Sequence, residues 1–279
     1  MLGRILKDSP KIVLTIAGFD PSSGAGITAD LKTIAAYGLY GVSCITALTV
    51  QTTQGVLRSE SVQAKLVRET LEALIQDTPP AALKIGMLGS GEIAGEVARF
   101  LKANPLQNVV LDPVLRSSSG AALLDAAGLR ILREELLTMV DIVTPNLQEA
   151  AALTGLSVAN ETEMQRACGE LMKAGARNTV VKGGHLDQPI DLLATRSSNG
   201  TLVFQRFQNE KVKTRNTHGT GCAYSTAIAC NLAIGRSLGG EDGAVLQARN
   251  YVASALRQAY DVGKGTGPIN HFHSSRQKV

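Results

Sequence analysis

No tryptophan occurs in the 279 residues, and aromatic residues of all kinds make up only 4%. A stacking platform for nucleic-acid bases needs such rings, so their shortage argues against single-strand binding. Charge is sparse as well: Asp, Glu, Lys and Arg are 19% of the chain, and 28 basic against 24 acidic residues leave a net +4 without a basic stripe. That scatter is not a nucleic-acid footprint. The four cysteines, Cys44, Cys168, Cys222 and Cys230, form no C-x-x-C pair and have no histidine at zinc spacing. They point to a reducing, cytoplasmic setting without a disulfide framework. No apolar run approaches the roughly eighteen residues of a membrane span. The run 12–17 follows Arg4, Lys7 and Pro10 but leads into Gly18-Phe19-Asp20-Pro21, which is no cleavage site, so it reads as a strand and not a secretion signal. Linkers, internal repeats and low-complexity runs are absent too, which leaves one domain over 1–279, with 44% hydrophobic residues to build its core.

What is present alternates. Short β-branched runs at 12–17, 42–50, 83–85, 109–111, 142–146 and 179–185 are separated by helical spacing at 27–37, 64–76, 92–103, 147–154 and 161–174. That order argues for βαβ units and a parallel sheet covered on both faces. Residues 56–61 suggest a short extra strand forming a flap. Residues 191–195 and 201–206, joined across Asn199-Gly200, suggest a hairpin with a type I′ turn. A last helix is expected over roughly 240–262. The loop 20–26 is glycine-rich but lacks G-x-G-x-x-G, so dinucleotide binding is not supported.

The stretch 216–229, Asn-Thr-His-Gly-Thr-Gly-Cys-Ala-Tyr-Ser-Thr-Ala-Ile-Ala, carries the strongest chemical signal. Gly219-Thr220-Gly221 interrupts regular structure just before a small-residue helix, whose unpaired N–H groups and positive dipole end suit an anion such as a phosphate. An ordinary loop-to-helix junction would look the same. Cys222 falls at that positive end, where a thiol is expected to ionise more easily than in water. His218 nearby raises a second reading, a covalent Cys–His nucleophile, which requires hydrogen-bond contact between the two.

Other candidates sit after strands, where ligands gather in open parallel sheets. Asp30 falls in the expected first turn of the first helix, where a carboxylate also serves as a simple dipole partner. Gln51 leaves the second strand in a polar turn, placed to read hydrogen-bonding groups or to be merely solvated. The segment 112–120 is a long polar loop of the kind that closes over phosphates or simply connects. Asn146 and Glu149 have the spacing of an N-cap and its capping-box partner, and equally of residues that orient water around Mg²⁺. Lys182 beside two glycines suggests a phosphate partner or a solvated lysine.

Taken together, seven blocks, 15–33, 84–88, 110–114, 144–150, 181–185, 216–222 and 267–273, closely resemble the hydroxymethylpyrimidine/phosphomethylpyrimidine kinases of thiamine biosynthesis across nearly the whole chain. The resemblance implies a ribokinase-like α/β fold: a three-layer sandwich with a central, mostly parallel sheet and helices on both faces, working as a homodimer. It also implies transfer of the γ-phosphate of ATP, with Mg²⁺, to 4-amino-5-hydroxymethyl-2-methylpyrimidine and then to its monophosphate. By that resemblance Gly18, Asp30, Gln51, Met87, Val114 and Cys222 line the pyrimidine pocket. Lys182, Gly183, Gly184, Thr217, Gly219 and Gly221 take the nucleotide side, and Asp112, Asn146 and Glu149 belong with metal and phosphates. The backbone of Gly219, Thr220, Gly221 and Cys222 would stabilise developing charge, with Cys222 as general base.

Two departures from the family pattern stand out: Arg116 in a loop that commonly carries a lysine two positions later, and Phe19 in place of a small hydroxyl residue. They bear on the second phosphorylation more than on the first. The rival readings are a pyridoxal kinase of the same fold and a non-catalytic pyrimidine sensor. Gln51 and Met87 favour the pyrimidine, and intact Lys182, Gly219-Thr220-Gly221 and Cys222 favour catalysis. His271-Phe-His273 looks like a metal-binding tail but is read as structural.

Overall fold

A computed structural model describes residues 9–117, 120–184, 186–208 and 211–274. In chain order the elements are β1 (Ile12–Phe19), α1 (Gly26–Ala36), β2 (Tyr40–Thr52), β3 (Gly55–Ser61), α2 (Ala64–Asp77), β4 (Ala82–Ile85), α3 (Gly91–Ala103), β5 (Val109–Leu111) and α4 (Ala126–Ile131). A π-helical turn (Leu132–Leu136) links α4 to α5 (Leu137–Met139). Then follow β6 (Ile142–Val143), α6 (Leu147–Thr154), α7 (Glu161–Lys173), β7 (Thr179–Gly183), β8 (Ile190–Arg196), β9 (Leu202–Gln208), α8 (Thr220–Ala233) and α9 (Ala244–Arg257).

The nine strands form one sheet in the order β3-β2-β1-β4-β5-β6-β7-β8-β9. From β2 to β7 the pairings are parallel, and β3, β8 and β9 add antiparallel edges. Alternation along β1 divides the core in two. Leu14 and Ile16 face α2, α3 and the π turn through Val67, Ile93 and Leu132, while Val13 faces α1, α8 and α9 through Ile34, Ala227 and Val245. Both faces are covered, which is why β4, β5 and β6 are buried throughout and are apolar at every position except Lys84. Helix α8 is buried on every side from Ala223 to Ala233, with small residues such as Ala223, Ala227, Ala229 and Cys230 at many of these positions.

Several expectations need correction. Residues 126–139, to which the sequence reading assigns no element, are helical with the π turn in their middle. The hairpin joining β8 and β9 is not a type I′ turn. Arg196 pairs with Leu202, which leaves a five-residue loop, and only Gly200 of the Asn199-Gly200 pair has positive φ. The last helix begins at Ala244, not near 240, because Gly240 turns left-handed and residues 239–243 fold back on themselves. The strand expected to reach residue 185 ends at Gly183, and His185 lies outside the described residues. At the other end of the chain His271 is buried, with Nδ1 3.1 Å from Thr33 Oγ1, and His273 stacks edge-on against Tyr251. Among the described residues no group of three His, Cys, Asp or Glu side chains is placed to hold a metal.

Candidate active site

The parallel strands deliver their carboxyl ends to one edge of the sheet, where open α/β sheets bind ligands. Gly18 ends β1, Gln51 lies near the end of β2, Met87 follows β4, Asp112 follows β5, Asn146 follows β6 and Lys182 lies at the end of β7. Helix α8 enters the same edge through the turn at Gly219. That residue has φ +80°, and any side chain on it would collide with the carbonyl of Gly24. Only glycine fits there, and the tight turn brings the loop after β1 directly against the start of α8. No side chain caps this helix; the Thr220 N–H is taken by the Thr217 carbonyl, and the N–H groups of Gly221 and Cys222 stay available to an anion.

The nucleotide-side candidates gather around this turn. Lys182 Nζ lies 2.8 Å from Asp112 Oδ1, and a Cβ at Gly221 would stand 3.6 Å from the same ammonium. The cation and the free N–H groups therefore face a common space. Gly183 follows directly, its N–H donating to Asp191 Oδ1 at 3.3 Å, and Gly184 forms an exposed turn. Asp191 is itself tied to Arg249 of α9, which also donates to the Pro189 carbonyl. Thr217 contributes its carbonyl, which accepts from the N–H and the hydroxyl of Thr220.

Asp112 also accepts from Ser225 Oγ at 3.2 Å and from Thr144 Oγ1 at 3.3 Å. Glu149 lies within electrostatic reach of both Asp112 and Lys182. Burial and the Asp112 charge push its carboxyl up to about 7 although Lys182 pulls it down. The capping box is formed: Asn146 Oδ1 accepts from Glu149 N at 2.9 Å and Glu149 Oε2 accepts from Asn146 N at 2.8 Å. The Asn146 side-chain oxygen and one Glu149 oxygen are thus both engaged at the helix start, and of the two residues only Glu149 keeps a second carboxylate oxygen for a cation. Asp112 and Glu149 remain, two carboxylates that repel one another in a buried site. That pair fits a divalent cation of the Mg²⁺ kind, which takes one or two protein carboxylates and keeps water and phosphate as its other ligands.

Beneath the turn lies a cation that the sequence reading passes over. Lys84, in the middle of apolar β4, is fully buried and bonds Asp30 Oδ2 at 2.8 Å. Burial alone would lower its pKa, but the carboxylate of Asp30 more than offsets this, and the ammonium is held charged. Asp30 accepts also from Thr15 Oγ1 (2.6 Å) and Thr226 Oγ1 (2.8 Å). It sits in the second turn of α1, not the first, and has no solvent exposure. It is therefore neither a dipole partner nor a group on the pocket surface. The signal for Lys84 was available: a charged residue inside a strand covered on both faces demands a buried partner.

Cys222 is half-buried, while the other three cysteines are fully buried. Its pKa moves up, to about 11, because burial outweighs the nearby Lys84 and the Gly26 N–H bond, and Asp30 and Asp112 push the same way. The expected activation of this thiol at a helix start is therefore corrected: it stays protonated at neutral pH. The Cys–His nucleophile is also set aside, since His218 Nε2 is turned to Asp20 Oδ2 at 2.8 Å.

On the substrate side Gly18 and Met87 touch: a Cβ at Gly18 would lie 2.7 Å from Met87 Sδ. Met87 clusters with Ala47, Leu123 and Val114 into a small apolar wall, of which the sequence reading names only Met87 and Val114. Gln51 lies within β2, not in a turn beyond it. With His218 and Thr266 it lines a cleft of about 190 Å³ formed with residues 52–56. In the loop after Val114, Arg116 donates to the Gly120 carbonyl at 3.2 Å and pairs with Ala122; residues 118–119 lie outside the described residues. Phe19 stays in β1, opposite Leu48.

Comparison with known proteins agrees with this geometry. The family described as phosphomethylpyrimidine kinase matches residues 20–270. A hydroxymethylpyrimidine/phosphomethylpyrimidine kinase of Haemophilus influenzae is 41% identical over 272 residues, covering 95% of this chain and 98% of that one. A phosphomethylpyrimidine kinase structure from Clostridium difficile superposes with a TM-score of 0.76 at 37% identity, covering 88% of this chain and 99% of that chain. The ADP complex of Bacillus subtilis pyridoxal kinase superposes at 0.85 with 28% identity, covering 96% and 99%. The match over residues 20–270 and the 41% identity to the Haemophilus influenzae kinase along almost its whole length show that the chain belongs to the phosphomethylpyrimidine kinase family.

Proposed function

We propose that the chain passes the γ-phosphoryl group of ATP to the hydroxymethyl oxygen of 4-amino-5-hydroxymethyl-2-methylpyrimidine, and then phosphorylates the monophosphate to the pyrophosphate, in thiamine biosynthesis. The observation that carries this reading is the approach of Lys182 Nζ to the turn at Gly221, in a fold whose cleft lined by Gln51 also takes in His218 just before that turn.

In this reading Lys182 and the N–H groups of Gly219, Gly221 and Cys222 bind the phosphoryl group and oppose the charge that spreads over its equatorial oxygens, while Thr220, tied to the Thr217 carbonyl, fixes the turn. Gly183, Gly184 and Thr217 carry the nucleotide. Mg²⁺, held by Asp112 and Glu149, would supply further charge neutralisation. Gln51 meets the pyrimidine edge, and Gly18, Met87 and Val114 hold its ring. A neutral thiol is no base, so Cys222 orients the hydroxymethyl group instead. The hydroxyl proton then leaves late, onto the transferred phosphoryl group, as a loose transition state allows. The acting form is a cytoplasmic homodimer of single-domain chains.

The test is an ATP-consumption assay with the pyrimidine alcohol, its monophosphate and pyridoxal as separate acceptors. Turnover of both pyrimidines above pyridoxal is the expected result, and a preference for pyridoxal would overturn the substrate assignment. The second reading, a pyridoxal kinase, has one observation in its favour: the superposition on the Bacillus subtilis enzyme.

A further inference from the structure

The Gln51 amide stands between two groups whose protons are fixed by their other partners. On one side is His218 Nε2, 3.2 Å away. That nitrogen also lies 2.8 Å from Asp20 Oδ2, and facing a carboxylate it has to carry a proton. Asp20 is an ionised acceptor: burial alone would raise its pKa, but bonds from His218, Ser22 and Ala25 bring it below the usual carboxylate value. On the other side is Thr49 Oγ1, 3.2 Å from the amide and 3.0 Å from the Phe19 carbonyl. A carbonyl only accepts, so the single hydroxyl proton of Thr49 goes to Phe19.

Oxygen and nitrogen of a side-chain amide have the same outline, and hydrogen bonding decides which end is which. Nitrogen toward His218 would set two N–H donors against one another. Oxygen toward His218 removes that clash: the Nε2 proton, held by Asp20 at 2.8 Å, is shared with the amide oxygen at 3.2 Å, and the NH₂ donates to Thr49 Oγ1, whose own proton goes to Phe19. The imidazole cannot swing away, because its ring lies against Gly24, its own backbone N–H donates to the Gly267 carbonyl, and the turn at Gly219 follows at once.

We infer that His218, oriented by Asp20, is a positioning residue that sets specificity: it locks the Gln51 amide with oxygen toward the imidazole and nitrogen toward Thr49. The inference rests on the proposed function for the identity of the substrate. One N–H and one oxygen lone pair of Gln51 are then left for the ligand. An aminopyrimidine, with a ring-nitrogen acceptor beside an amino donor, pairs with both, ring nitrogen on the Thr49 side and amino group on the His218 side. A pyridoxal ring has no such adjacent pair and gains nothing from this order.

The test has a spectroscopic arm and a kinetic arm, both on the full-length protein. In ¹⁵N-histidine spectra near neutral pH, assigned by loss of the signal in His218→Leu, the His218 Nε2 resonance should be protonated; an unprotonated Nε2 overturns the inference. In kinetics, His218→Leu should raise the KM for the pyrimidine alcohol by about tenfold, the worth of one hydrogen bond. The KM for ATP should hold, and the preference over pyridoxal should shrink by the same factor. His218→Gln, which keeps a donor near the Nε2 position, should recover most of the loss. Equal rises in both KM values, or an unchanged pyridoxal ratio, would sink it. If the unmodified protein phosphorylates no pyrimidine at all, the proposed function falls, while the spectroscopic arm still tests the Nε2 proton that the amide order requires.

Discussion

Lys84 Nζ and Asp30 Oδ2 lie 2.8 Å apart with neither side chain exposed to solvent. Lys84→Met would leave the Asp30 carboxylate buried with only the hydroxyls of Thr15 and Thr226. Breaking a buried ion pair from one side costs about 3–5 kcal/mol. The unfolding free energy from urea titration should fall by that amount with an unchanged slope. The same variant should push Cys222 further from ionisation, because the Lys84 charge is what most lowers that thiol's pKa. A loss well under 1 kcal/mol would mean that Asp30 needs no cation.

Lys182 balances two carboxylates, Asp112 and Glu149, and faces the anion turn. Lys182→Met should lower turnover roughly a hundredfold, the scale reported for removing one charge-stabilising donor, and weaken ATP binding. The KM for the pyrimidine alcohol should change little, since in the proposed reading Gln51, Met87 and Val114, and not Lys182, hold the pyrimidine. Steady-state kinetics with each substrate varied in turn separates these outcomes.

How far the chain reads from its sequence follows from the range of the interactions involved. The parallel strands were legible because strands buried on both faces are apolar at nearly every position, and the capping box of Asn146 and Glu149 because it is complete within four residues. The Gly219 turn was legible because glycines at a helix start admit few alternatives. What stayed hidden is tertiary. Asp30 meets Lys84 and Thr226 from 54 and 196 residues away, so its own helix says only that a carboxylate sits near the start. The type I′ turn failed because Asn199-Gly200 sets a local preference while the pairing of Arg196 with Leu202 sets the loop length. The Cys222 thiol failed for a related reason: a helix start is a local effect, whereas the burial that overrides it comes from the rest of the fold.

That override makes Cys222 testable. With a pKa pushed up to about 11, its alkylation by iodoacetamide should be slow at pH 7 and climb steadily past pH 9. Cys44, Cys168 and Cys230 are buried, so peptide mapping will assign the modified site. Cys222→Ala should then cost about tenfold or less in turnover, as for a lost hydrogen bond. Removing a true general base costs about 10²–10⁴. A loss in that higher range, with a rate profile following thiolate formation, would restore the base reading.

His271 gives the fold a dependence on acid. Burial, followed by the Lys32 and His273 charges, lowers its pKa to about 4 from the usual 6.5. Above pH 6.5 the imidazole is neutral both folded and unfolded, and titration contributes nothing. Between pH 6.5 and 4 the unfolded chain takes up a proton that the folded one refuses, so stability falls as pH falls. The full loss, reached below pH 4, is about 3 kcal/mol at 1.4 kcal/mol per pKa unit. Thermal unfolding between pH 7.5 and 4.5 should show a declining midpoint. In His271→Gln, whose amide can still reach Thr33 Oγ1 but cannot titrate, the decline should be shallower. Parallel curves for the two proteins would assign the acid sensitivity to other groups.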